Sequence, residues 1–209
     1  MSLDDMIKKG DVQGVRQLIQ KDPSVLTEGY PSPLLLSVYY RQPGVTALLR
    51  QHVDHLTIHE AAAVGDWHRV QVVLDEEPGA IDQYASDGFT PLGLAAYFGH
   101  DQVVRLLLER GAQVNLAARN AQQVTPLHSA VSGRHEAIMR LLLESGADPN
   151  IPQAGDITPL MQAAQGGHDW MVRLLLDHGA RADAQDDNGM TVSDHAAQHE
   201  HIRALLSQA

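Results

Sequence analysis

The sequence predicts an all-α solenoid of about seven stacked helix-turn-helix units with projecting β-hairpin loops. Three observations carry this: a phrase that returns at a near-constant interval, two helical patterns inside each interval, and a glycine at a fixed place after the second. The phrase is Thr90-Pro91-Leu92, Thr125-Pro126-Leu127 and Thr158-Pro159-Leu160, with a degraded copy at Thr191-Val192-Ser193. Successive threonines stand 35, 33 and 33 residues apart. A unit of that length cannot bury its own apolar face, so neighbours must stack.

Within a unit, threonine caps the first helix and proline occupies its first turn, where a lost N–H costs nothing. Paired alanines such as Ala95-Ala96 and Ala163-Ala164 keep that helix thin, so neighbouring units approach closely. In the second helix Val103, Leu106 and Leu107, like Ile138, Leu141 and Leu142, recur at helical spacing and supply the larger apolar face. Gly111, Gly146 and Gly179 then stop it in a left-handed cap. Asp87-Gly88 and Asn188-Gly189 mark the hairpin tips.

The full phrases read TPLGLAAYFGH from Thr90, TPLHSAVSGRH from Thr125 and TPLMQAAQGGH from Thr158. They are followed in register by VVRLLLERGAQVN, AIMRLLLESGADPN and MVRLLLDHGARAD. This resembles the ankyrin repeat, whose T-P-L-H-x-A signature the second phrase contains. Weaker copies follow in the same frame: LTIHEAAAVGD from Leu56, SPLLLSVYYRQ from Ser32 and MSLDDMIKKGD from Met1. Residues 1–209 are thus expected to form a single domain with units starting near 1, 32, 56, 90, 125, 158 and 191. The step of 24 residues from Ser32 to Leu56 leaves unit 32–55 without room for a hairpin finger. Polar residues in the first and last units mark these as caps. With the HLTIHEAAAVGDW stretch from His55, the capped pattern resembles compact bacterial members of the family.

Composition restricts partners and compartment. With 26 acidic against 15 basic residues the formal charge is −11, which opposes attraction to nucleic acids and anionic membranes. It favours a partner with basic character. No stretch approaches the ~20 apolar residues that span a bilayer, and acidic residues stand where a signal peptide needs an apolar core. The absence of cysteine excludes disulfides and fits a reducing, cytoplasmic setting.

In the family the chain resembles, partners dock on the hairpin fingers and on exposed positions late in the first helix. Carried over, that frame gives Tyr39, Tyr40, Phe89, Tyr97 and Phe98 as partner-binding residues, with Tyr30 extending the patch. Ala63 and Val64 keep the intervening unit apolar. The other reading is that Phe98 and Tyr40 pack between helices. Toward the C-terminus the same positions carry Ser132, Gly133, Gln165, Gly166, Gln198 and His199, so one end of the face is expected to be apolar and the other wet.

Twelve histidines raise a metal or hydrolytic alternative. His195 and His199 are four apart and share a helical face, whereas His201 falls where His100, His135 and His168 stand in earlier units. His59 is the counterpart of His128, which the resemblance makes structural, bonding near the cap threonine, and His52 and His55 remain as surface histidines. Neither a phosphate-cradling glycine loop nor a G-x-S-x-G elbow occurs. Solvation accounts for the carboxylate pairs Asp186-Asp187 and Glu76-Glu77, and packing for Trp67 and Trp170. The expectation is a monomeric, non-enzymatic scaffold without cofactor or metal that binds an unidentified protein on its concave face and fingers. Self-association through the aromatic patch ranks second, histidine-dependent chemistry last.

Overall fold

The computed structural model describes residues 1–26 and 31–207. Among them fourteen α-helices form seven consecutive pairs: α1 Leu3–Lys9 with α2 Val12–Lys21, α3 Pro33–Tyr39 with α4 Pro43–Arg50, and α5 Ile58–Val64 with α6 Trp67–Glu76. Then follow α7 Pro91–Phe98 with α8 Asp101–Glu109, α9 Pro126–Gly133 with α10 Glu136–Glu144, α11 Pro159–Gln165 with α12 Asp169–Asp177, and α13 Val192–His195 with α14 Glu200–Leu206. Tyr30 lies outside the described residues.

Local chemistry places each pair. The side chains of Ser2, Ser32, Thr57, Thr90, Thr125, Thr158 and Thr191 each accept the N–H three residues on, capping their first helices. Proline opens α3, α7, α9 and α11. Gly111, Gly146 and Gly179 follow the second helices with φ between 85 and 89°, as their sequence places require. Thr90 is buried and its Oγ1 accepts from Gly93 N–H at 3.1 Å. Thr90→Ala therefore strands a buried donor, and urea denaturation should show a loss of about 1–2 kcal/mol.

The first helices stack in one row, α1 on α3 and onward to α11 on α13. Second helices pack α2 on α4, α6 on α8, α8 on α10 and α12 on α14, but α4 with α6 and α10 with α12 do not repeat that close approach. A continuous core runs between the rows, built from Leu34, Leu49, Leu92, Leu107, Leu142, Leu160 and Met161 among others. Trp67 and Trp170 pack against it half-buried.

The projecting loops differ in detail from β-hairpins. One backbone bond spans each: Ala85 N–H to Phe89 O at 2.9 Å, Ala118 to Val124 at 2.9 Å, Gln153 to Ile157 at 2.9 Å and Asp186 to Met190 at 3.0 Å, with turn bonds inside such as Gly88 N–H to Ala85 O at 2.8 Å and Gly189 N–H to Asp186 O at 2.9 Å. Two isolated bridges, Gln153–Ile157 and Gln185–Thr191, are the extent of β pairing among the described residues. Further donors point sideways, from Arg119 to Gly88 O, Ala154 to Gln122 O and Asp187 to Gly155 O. The tips thus bond to their neighbours across units, where a ladder would bond within one. Residues 51–57 carry the chain from α4 to α5, and Leu56 from this crossing is buried.

Candidate docking surface

A repeated clip sets the geometry between units. Eight or nine residues after each of the first six cap positions stands a residue with positive φ: Gly10, Arg41, Gly65, Gly99, Arg134 and Gly167. Where it is glycine, the side chain entering a later helix lies against it and bonds the carbonyl two residues before it. Gln42 Nε2 donates to Lys8 O at 3.1 Å, His100 Nε2 to Ala63 O at 2.9 Å, His135 Nε2 to Tyr97 O at 3.1 Å and His199 Nε2 to Gln165 O at 3.2 Å. A methyl group on Gly65, Gly99 or Gly167 would come within 2.5 Å of the corresponding ring. These glycines serve close approach as well as backbone shape.

The clip is missing at two junctions, and in both the left-handed residue is arginine. After Arg41 the clip position holds Asp66, an acceptor that cannot bond a carbonyl; it caps α6 and pairs with Arg50 at 2.7 Å. After Arg134 it holds His168, whose Nε2 has no partner, as has the neighbouring Gln162 Oε1. These are the junctions where α4 with α6 and α10 with α12 fail to close. Each opens a cleft, of about 570 Å³ beside Arg41 and about 320 Å³ beside Arg134.

The aromatic residues border the larger cleft. Tyr39, at the end of α3, and Phe98, at the end of α7, meet over the end of α5 with ring centroids 5.8 Å apart. Tyr97 stands edge-on to Phe98 at 5.0 Å. Ala63 is buried and Val64 half-buried below them, so small residues on the middle unit let rings from its two neighbours touch. The Tyr39 hydroxyl donates to Asp87, tying the row to the loop that carries Phe89. Tyr40 is 47% exposed and Tyr97 36%, whereas Tyr39, Phe89 and Phe98 are half-buried against the core. Of the two residues that the packing reading named, Phe98 packs against the core, whereas Tyr40 is exposed with Lys8 Nζ over its ring at 5.5 Å.

Cationic side chains gather at this cleft, where Arg50 is paired with Asp66. Arg41, Arg50 and His100 line the cleft, without a carboxylate among the described lining residues. Its other walls are Val38, Pro43, Ala47, Ala63, Val64 and Phe98 with a few small polar groups. Burial lowers the pKa of His100 even though its bond to Ala63 O pulls the other way.

Three histidine and carboxylate readings change. The helix α5 begins one residue later than the Leu56 frame implies, so Glu60, rather than His59, takes the place of His128. Its Oε2 accepts from Thr57 N–H and Oγ1, and Oε1 from Ser32 Oγ. His59 Nε2 instead donates to Gln83 O at 2.7 Å. In the last unit α13 has only four residues, so the chain turns early and His199, rather than His201, makes the clip. His201 is exposed and pairs with Asp169 at 2.9 Å. Asp186 is buried rather than solvated: it accepts from Asn188 and Met190 N–H, and His195 Nε2 lies 3.0 Å away. His195 and His199 therefore turn to different partners. Among the described residues no cluster of histidine and carboxylate groups is placed to hold a metal.

Stacked helix pairs, bonded unit to unit and bearing an exposed side-chain row along one edge, define a repeat protein whose working part is a surface. A family model of ankyrin repeats matches residues 58–153 and 151–209. The chain belongs to the ankyrin-repeat family, whose repeats generally mediate protein–protein interaction and are typically non-enzymatic. Human ankyrin repeat and SAM domain-containing protein 3 is 38% identical over 61 residues, 29% of this chain and 9% of that protein. Human DNA-binding protein RFXANK is 35% identical over 70 residues, 34% of this chain and 27% of the relative. Human SMC5-SMC6 complex localization factor protein 1 is 35% identical over 89 residues, 43% and 8% respectively. The matches span well under two thirds of each relative, and these human proteins lend no support to the bacterial resemblance. Among the described residues no helix is long and apolar enough to cross a membrane.

Proposed function

We propose that this chain is a non-enzymatic docking module that binds a partner protein over the ends of α3, α5 and α7 and the adjoining loop, through Tyr39, Tyr40, Phe89, Tyr97 and Phe98. The observation that carries this is the aromatic row itself. Tyr40 and Tyr97 remain exposed beside half-buried rings that hold the row in place. Buried aromatic anchors of this kind contribute about 2 kcal/mol or more each at an interface, and a surface that is already ordered loses little entropy on binding. The net charge of −11 opposes nucleic acids and anionic membranes as partners, and the lack of cysteine supports a reducing, cytoplasmic setting. On this reading the module acts as a monomer.

The test uses the two exposed rings, because removing Tyr39 or Phe98 would also disturb packing. Tyr40→Ala with Tyr97→Ala, its fold checked by circular dichroism, is compared with the unaltered chain for capture of partners from lysate. Once a captured protein is purified, the variant should bind it at least tenfold more weakly by titration calorimetry, since about 1.4 kcal/mol corresponds to tenfold. Equal affinity would exclude this face.

A further inference from the structure

We propose that the cleft beside Arg41 recognises an acidic, apolar segment of a partner protein, a large apolar side chain entering the cleft while a neighbouring carboxylate pairs with Arg41. This deepens the docking reading above and rests on it. The cleft measures about 570 Å³, space for one or two large side chains. Val38, Pro43, Ala47, Ala63, Val64 and Phe98 make its walls apolar, and Phe98 joins it to the aromatic row. One extended segment can therefore lie across both.

The charge argument selects the occupant. In a chain of net charge −11, the cleft carries two arginines and no carboxylate among its described lining residues. Arg50 is held by Asp66 at 2.7 Å. Arg41 is exposed and has no ion pair among the described residues. Its φ of 51° is a conformation that residues other than glycine rarely adopt, and four of the six equivalent positions hold glycine. Arg41 stands at the junction where the clip is missing, so it places its charge at the mouth of the open cleft. A carboxylate next to an apolar side chain satisfies the two features together; a basic segment would face the charge of Arg41.

The test is fluorescence polarisation of the full chain with three labelled peptides: Asp-Glu-Leu-Leu-Asp-Glu, Lys-Arg-Leu-Leu-Arg-Lys and Asp-Glu-Ser-Ser-Asp-Glu. The first should bind at least tenfold tighter than either of the others. Arg41→Glu should weaken it at least tenfold, Arg41→Gly should weaken it on a backbone that glycine suits, and Arg41→Lys should restore most of the binding. Ala47→Trp should block it by filling the cleft, and Arg181→Glu, with the same change of charge on a distant loop, should leave it unchanged. Equal binding of the peptides, no binding to the folded chain, or indifference to Arg41→Glu would overturn the proposal. The docking reading is then still decided by its own titration with Tyr40 and Tyr97. If instead the cleft binds the acidic peptide and those two rings prove dispensable, the aromatic face falls and the cleft stands.

Discussion

Leu142→Ala is expected to lower the unfolding free energy by about 3 kcal/mol, within the range of about 2.7–5 kcal/mol that such truncations cost in close-packed cores. Leu142 is fully buried on α10, and α10 packs on both α9 and α8. Truncation loses the transfer free energy of the removed carbons and leaves a cavity that short, cap-fixed helices have little freedom to collapse. In a solenoid each unit is held only by its neighbours, so a central defect weakens junctions on both sides. Leu206→Ala, in the last helix and 9% exposed, should cost less. Urea titrations of both variants followed by circular dichroism measure this directly. Equal losses would mean that unit position does not govern stability in this chain.

Those features were legible in the sequence that depend on a few consecutive residues. A threonine followed by proline caps a helix wherever it stands, and a glycine after an apolar run takes a left-handed turn by its own conformational freedom. Thr90, Thr125, Thr158 and Gly111 needed no tertiary information. Features that depend on where a neighbouring unit lies were not legible. The shift of α5 by one residue passes the cap bond from His59 to Glu60, and the shortening of α13 passes the clip from His201 to His199. A frame carried rigidly along the chain misses both. The clip joins residues 34 to 38 positions apart, and its signal in sequence, a glycine immediately before Asp11, Asp66, His100 or His168, marks positions that do not all bond.

The candidate surface was half legible for a related reason. Carrying over the docking positions of the resembled family picked out these aromatic residues late in the first helices. Which rings stay exposed is decided by their neighbours. Tyr39 and Phe98 meet across the unit that carries Ala63 and Val64, and Tyr40 is exposed with Lys8 Nζ over its ring. Net charge is a sum over the whole surface and does not report the arginines beside one cleft. The clefts stand at two junctions where the turn holds arginine and the clip residue bonds no carbonyl, a change of inter-unit contact that leaves the repeat pattern undisturbed.

Between pH 7 and pH 4 His128 alone is expected to remove about 3 kcal/mol of stability. The ring is fully buried and suited to its neutral form. Its Nδ1 accepts from Thr125 N–H at 3.3 Å and lies 2.8 Å from Thr125 Oγ1, while Nε2 donates to Ile157 O at 3.1 Å. A proton on Nδ1 would set one N–H against another in a buried site. Burial accordingly lowers the pKa from 6.5 to about 4, the carbonyl of Ile157 opposing only in part. Above pH 6.5 neither the folded nor the unfolded chain holds this proton, and the full stability is present. As pH falls from 6.5 toward 4 only the unfolded chain takes it up, which costs the fold about 1.4 kcal/mol per pH unit. Below about 4 both states are protonated and this loss stops growing. His59, His100 and His168 are lowered as well, burial being the main cause in each, so they act in the same direction. Comparing the chain with His128→Gln at pH 7, 5.5 and 4 isolates the one ring. The variant should start less stable, yet lose stability with a slope shallower by about one proton. Parallel slopes would mean that His128 takes up its proton without unfolding, and the neutral ring would then not be what ties α9 to the loop before α11.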